Sequence, residues 1–197
     1  MKIFLTLLIS LILTACSTTT PPSAPLNQPL TWQIRAQQIA ALETWKIHGA
    51  IALRTDQNAE NASLYLAEDK DNYRLEIYGP LGLGRNILIG TPTGVTLKNG
   101  AGHVFNADSA EALLQQQLGW SLPVSNLKYW LKGLPAPGLK HRIKFDTYHH
   151  ALELQQQGWV IHYDSYSASN GFDLPSKIRM QRGNLRAVLV ISKWDLT

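Results

Sequence analysis

The sequence predicts a mainly β fold with helices: one strongly curved antiparallel sheet of about eleven strands, with about three helices on one face. Two observations carry this. From Trp45 onward, apolar residues recur at every second position in short segments separated by turn residues, the pattern of half-buried strands. Three other segments place their apolar residues at helical spacing. Most links between strands are short, which favours antiparallel neighbours.

The chain opens on a leader. Lys2 supplies a positive charge, residues 3–13 are apolar apart from Thr6 and Ser10, and Leu13-Thr14-Ala15 puts small residues before Cys16. This is the layout of a secretory signal, too short for a stable bilayer-spanning helix. Cys16 is the only cysteine, so it has no partner for an internal disulfide. The Leu13-Thr14-Ala15-Cys16 ending resembles a bacterial lipobox. That resemblance implies cleavage after residue 15, a lipid on the Cys16 sulfur and acylation of its new amine. Ser17 follows Cys16 where an aspartate would resemble an inner-membrane retention signal, so the outer membrane is expected.

Removal of residues 1–15 leaves 182 residues, enough for a single domain with a good core. Residues 16–29 hold Pro21, Pro22, Pro25 and Pro29 beside a threonine run, and read as an extended lipidated tether. Its thirteen residues after Cys16 would reach about 40 Å in a polyproline-like form. Residues 30–197 form the expected domain. The net charge of +4 is spread along the chain, without the clustered basic run that nucleic acid binding uses.

Within the domain, residues 30–44 read as a helix with Leu30, Ile34, Ala41 and Leu42 on one stripe. A strand follows from Trp45, with Ile47, Ile51 and Leu53 alternating against Lys46, His48 and Arg54. Further strands are expected over 61–69, 72–79, 85–91, 94–98 and 102–106, punctuated by 69–72, 91–94 and Asn99-Gly100. Asp108-Ser109-Ala110-Glu111 is an N-cap signature for a helix ending near Gly119, and 123–131 is a third helix stopped by Gly133. Strands return over 139–146, 151–156, 159–165, 176–181 and 185–194, with Asp173-Leu174-Pro175 placed before the fourth of these.

Common catalytic motifs are missing: there is no H-E-x-x-H, C-x-x-C or G-x-S-x-G. His149 and His150 with His162 do not read as a metal site, because an adjacent pair on a strand points to opposite sides; His149-His150 reads as a solvated pair. The glycines of 79–84 are followed by the strand-like Arg85-Asn86-Ile87-Leu88-Ile89 rather than by a helix N-terminus, so they do not make a phosphate loop.

Three segments carry a family resemblance. Gly79-Pro80-Leu81-Gly82 sits in a loop after a strand. Gly119-Trp120-Ser121-Leu122-Pro123 leads into Leu127-Lys128-Tyr129-Trp130-Leu131-Lys132-Gly133-Leu134-Pro135. An apolar last strand ends at Lys193-Trp194. With the lipobox and Trp45-Lys46-Ile47-His48-Gly49-Ala50-Ile51-Ala52, the chain resembles the LolB family of outer-membrane lipoprotein receptors over nearly all of its mature length. It departs at Gly49-Ala50, where Gly-Arg is expected.

The resemblance implies an unclosed antiparallel half-barrel, lidded by helices, around an apolar cavity. It also implies acceptance of acylated lipoproteins from a LolA-like periplasmic carrier and insertion of their acyl chains into the outer membrane. No catalysis, nucleotide, metal or other cofactor is implied, and a monomer is expected.

Candidate cavity residues are the apolar strand positions Ile47, Ile51, Leu53, Tyr73, Leu75, Ile77, Ile87, Ile89, Ile143, Phe145, Trp159 and Ile161, with Trp130 on the lid. Leu81, between Pro80 and Gly82 and followed by Leu83, is apolar at an expected turn tip, where it lacks an obvious core to enter. The resemblance makes this the tip of a membrane-inserting loop. The residues alone leave two other functions open: a periplasmic-face carrier or sensor of free lipids, and a structural outer-membrane assembly lipoprotein.

Overall fold

The computed structural model describes residues 31–82 and 84–196. Cys16, the leader, residues 16–29 of the tether and Leu83 lie outside the described residues.

The described chain runs α1 (Trp32–Ala40), β1 (Thr44–Arg54), β2 (Ala59–Asp69), β3 (Asn72–Tyr78), a 3-10 turn (Pro80–Gly82), β4 (Asn86–Thr91), β5 (Gly94–Lys98) and β6 (Val104–Ala107). It continues through α2 (Ala110–Leu118), α3 (Val124–Trp130), β7 (His141–Phe145), β8 (Ala151–Gln156), β9 (Trp159–Ser169), β10 (Phe172–Arg182) and β11 (Leu185–Leu196). Ser109 caps α2 by accepting from the Ala112 amide. Gly119 ends that helix in the left-handed conformation, at φ 70°, which only glycine adopts without strain.

All eleven strands form one sheet in the order β6-β5-β4-β3-β2-β1-β11-β10-β9-β8-β7. Every neighbouring pair is antiparallel. β6 and β7 are its two edges, so the sheet is not closed into a barrel. The two halves of the chain meet at a central seam, where Trp45 lies opposite Leu196 and Arg54 opposite Arg186.

The antiparallel path divides the links between two rims. One rim carries the connections 55–58, 79–85, 99–103, 157–158 and 183–184. Contacts among these links tie it together. The Asn184 side-chain amide donates to Asp56 at 3.0 Å, and a Cβ on Gly100 would stand 3.0 Å from the Gly84 Cα. The opposite rim carries 70–71, 92–93, 146–150 and 170–171, with α1 alongside.

One face of the sheet is apolar along its whole width. Ile47, Ile51 and Leu53 of β1, Leu75 and Ile77 of β3, Trp159 and Ile161 of β9 and Ile178 of β10 are buried in a single core with Leu113, Leu114, Leu127 and Trp130 of the helices. Tyr73 and Ile143 pack at its margin, and the Phe145 ring packs against Trp32 of α1.

Three sequence expectations need correction. Ile87 and Ile89 were expected on the inner face. The pairing of Leu75 with Leu88 instead sends Leu88 inward, and Ile89 is 41% exposed on the outer face, opposite Arg74. Gly90 fixes that register, because a Cβ there would collide with the Tyr73 ring at about 2.0 Å. Asp173-Leu174-Pro175 was expected to precede a strand. It lies inside β10, where the pairing with β9 slips next to Pro175 and so accommodates a residue with no amide hydrogen. His149 and His150 were expected as a solvated pair on a strand. They lie in the 146–150 turn, where His149 takes a φ of 59° and only His150 turns inward, so that His150 is buried.

Candidate functional site

The concave face is the candidate lipid-handling site. Its floor is the apolar side of the sheet, and its cover is α2, α3 and the segment after them. Trp130 is the centre of the cover. Its indole donates to the side-chain oxygen of the buried Gln156 at 2.8 Å, and its carbonyl accepts from the Tyr163 hydroxyl at 2.9 Å. The same Gln156 amide accepts from the Ala136 backbone N–H and donates to the Ala136 carbonyl, both at 2.8 Å. Burial holds the Tyr163 hydroxyl well above its usual range, so it stays a neutral donor.

The expected apolar cavity is filled in this conformation. Leu113 and Leu114 of α2, and Leu127 and Trp130 of α3, belong to the same core as the sheet residues assigned to the cavity. Room appears instead at the first rim. A cleft of about 590 Å3 is lined by Leu53 and Glu60 of the sheet, Asn58 of the β1–β2 link, residues 118–122 of the cover, and 182–185 around the β10–β11 turn. Within it the Trp120 indole donates to the Glu60 carboxylate at 3.0 Å. No sequence pattern signals this contact between residues sixty positions apart.

The Pro80–Gly82 turn stands on that same rim, with Pro80 and Gly82 exposed and the Gly82 amide donating to the Gly79 carbonyl at 3.1 Å. The Arg85 guanidinium stands 5.2 Å from the centroid of the Tyr78 ring and 3.6 Å from Glu76. These contacts fasten the base of the turn.

The opposite rim holds buried polar side chains beside apolar ones such as Trp45 and Ile39. Arg35 of α1 donates to the Asp173 carbonyl at 3.2 Å and pairs with its carboxylate at 3.5 Å. His150 stands between the Asp146 and Asp173 carboxylates, at 2.9 and 3.3 Å, and stacks on Tyr166 with ring centroids 4.4 Å apart. Nearby, Glu68 is only 6% exposed. Burial raises its carboxyl to about 7, against the opposing pull of Lys128 and Lys132. Burial likewise lowers the Lys132 ammonium, which donates to the Leu42 carbonyl at 3.0 Å. Among the described residues no cluster of three or more His, Cys, Asp or Glu side chains is arranged to hold a metal ion. His162 lies apart, 3.8 Å from Glu153.

The fold, an unclosed antiparallel sheet whose apolar face lies under helices, is shared with solved structures. The structure of a LolA superfamily protein from Nitrosomonas europaea is similar, with a TM-score of 0.59 over 85% of this chain and 94% of that one, at 10% identity. The family model described as outer membrane lipoprotein LolB matches residues 43–194. The outer-membrane lipoprotein LolB of Chromohalobacter salexigens is 37% identical over 195 residues, covering 99% of this chain and 91% of the relative. That of Ectopseudomonas mendocina is 39% identical over 186 residues, covering 93% and 91%. The chain belongs to the LolB family of outer-membrane lipoproteins.

Proposed function

We propose that the protein accepts lipoproteins from a LolA-like periplasmic carrier and places their acyl chains in the outer membrane, acting as a monomer and without catalysis. The observation that carries this reading is the continuous apolar concave face, covered by helices rather than sealed by strands, on a chain of the LolB family.

The energetics suit the task. Each sheltered methylene gains about 0.8 kcal/mol, so a sixteen-carbon chain gains about 12 kcal/mol. An acceptor must offer enough of this to draw the chain from a carrier, yet less than a bilayer offers. An unclosed sheet under a separable cover meets both conditions, where a sealed barrel would retain its cargo.

Cys16 carries the lipid anchor in this reading, and the 16–29 tether lets the domain reorient at the membrane. The Pro80-Leu81-Gly82-Leu83 loop supplies the apolar contact with the bilayer. The test is to present the membrane-anchored protein with carrier loaded with a fluorescent lipoprotein. The label is expected to leave the carrier and appear in the bilayer. Label that stays on the carrier would overturn the reading.

A further inference from the structure

An acyl chain cannot enter the concave face until some of the side chains that fill it leave. We propose that the first acyl chain of a cargo lipoprotein binds in the rim cleft, in the place held by Trp120, and that the Trp120–Glu60 hydrogen bond is the latch that keeps the cleft closed. This rests on the reading of the protein as a lipoprotein acceptor and says where on the molecule that step begins.

The parts of the cover are held unequally. α3 is tied down at its centre by the bonds from Trp130 to Gln156 and Tyr163. α1 is held through Arg35 to Asp173, and its Trp32 ring packs on Phe145 at 4.8 Å. The 119–122 link is different. Among the described residues, its one side-chain hydrogen bond to the sheet is that from Trp120 to Glu60. Its other bonds, from the Trp120 amide to the Leu114 carbonyl and between Ser121 and Gln115, stay within the helical cover. The link can therefore lift with the end of α2 by breaking one hydrogen bond to the sheet and separating its apolar side chains from it.

What it uncovers is apolar. Trp120 and Leu122 are core residues that line the cleft together with Leu53 and Leu185. An acyl chain that replaces the indole exchanges one apolar surface for another against the same leucines, with little gain or loss of hydrated area. Glu60 is exposed, so water can solvate its carboxylate once the indole has left. The cleft also opens on the rim that carries the Pro80–Gly82 turn, so a chain bound there is already at the end of the sheet that the reading places against the membrane.

The test uses the intact lipid-anchored protein in vesicles. The periplasmic carrier delivers a lipoprotein whose acyl chain ends in a diazirine, and samples are irradiated at short times. The earliest cross-links are expected on Leu53, Leu118, Leu122 and Leu185. Trp120→Phe keeps an aromatic ring without the donor, and should speed their appearance about tenfold, as expected for the loss of one hydrogen bond to a carboxylate. Glu60→Gln, at an exposed position, should speed it less, and the double variant no more than Trp120→Phe alone. First cross-links beside Trp45 and Trp32 on the opposite rim, or unchanged rates in both folded variants, would overturn the proposal. Should Trp120→Phe fail to fold, Glu60→Gln carries the rate test alone. Efficient transfer with cross-links elsewhere removes only the portal, whereas no cross-link anywhere in the unmodified protein removes the lipoprotein-acceptor reading itself.

Discussion

The indole N–H of Trp130 donates to the Gln156 side chain at 2.8 Å, and the same amide also holds both backbone polar groups of Ala136. One buried glutamine thus joins α3 and the segment after it to the sheet. Gln156→Leu would leave three polar groups without partners inside the core, each costing about 1–3 kcal/mol. Denaturant unfolding should show a loss of about 3 kcal/mol or more. A loss below about 1 kcal/mol would mean that the cover does not depend on this residue.

Arg35 should govern whether α1 stays docked. Asp173→Ala leaves the guanidinium largely buried without its carboxylate and deprives His150 of one neighbour. The amides of Trp32–Ala40 should lose hydrogen-exchange protection by at least tenfold, while those of β1 and β11 keep theirs. Equal loss across the sheet would show that the cluster holds the whole fold rather than one helix.

Glu68 makes stability depend on pH in a defined direction. Its folded carboxyl is raised to about 7 from an ordinary 4.5. The native state therefore holds the extra proton between those values, and stability falls as pH rises through that window. Glu68→Gln should be nearly neutral at pH 5 and stabilising by about 2 kcal/mol at pH 8. An advantage that shrinks as pH rises would contradict the assignment.

These three sites mark where the sequence stops being legible. The fold was readable because turn residues separate its strands: 94–98 and 151–156 were expected with the bounds that β5 and β8 show. The inward face of β4 was not readable. Ile87, Leu88 and Ile89 form an unbroken apolar run, and only the pairing with β3 decides which of them turns in. His150 was misread because the Asp173 that faces it is brought there by β10, twenty-three residues away. Most of the strand positions expected to line a cavity lie on the buried face, but the helices packed over them were not foreseen as filling the space. A periodic pattern reports which side of a strand is buried and is silent about what covers it.

Anchoring and transfer should separate at Cys16. Cys16→Ala should abolish acyl labelling and free the protein from membranes, while transfer from loaded carrier to the protein continues. Labelling that survives the substitution would overturn the lipobox reading.

Leu81 should separate receiving from delivering. Interfacial burial of one leucine is worth about 1.5–3 kcal/mol, too little to anchor a domain and enough to bias how a tethered one faces the bilayer. Leu81→Glu replaces that gain with the cost of desolvating a charge. Liposome delivery should fall several-fold, with uptake from the carrier and the unfolding temperature unchanged. Normal delivery by a stable Leu81→Glu protein would rule out the loop as the insertion device.

The seam between β1 and β11 has a consequence for biogenesis. The first strand of the sheet finds one of its two neighbours only in the last, with the whole intervening chain between them. During export, six strands can associate from β1 outward while the other long edge of β1 stays bare. That edge persists until the polypeptide has fully crossed the membrane. Closure of so long a loop makes folding slow and leaves an unpaired backbone open to aggregation in the interval. A chain cut before Leu185 should therefore be cleared by periplasmic proteases rather than accumulate as a shortened receptor.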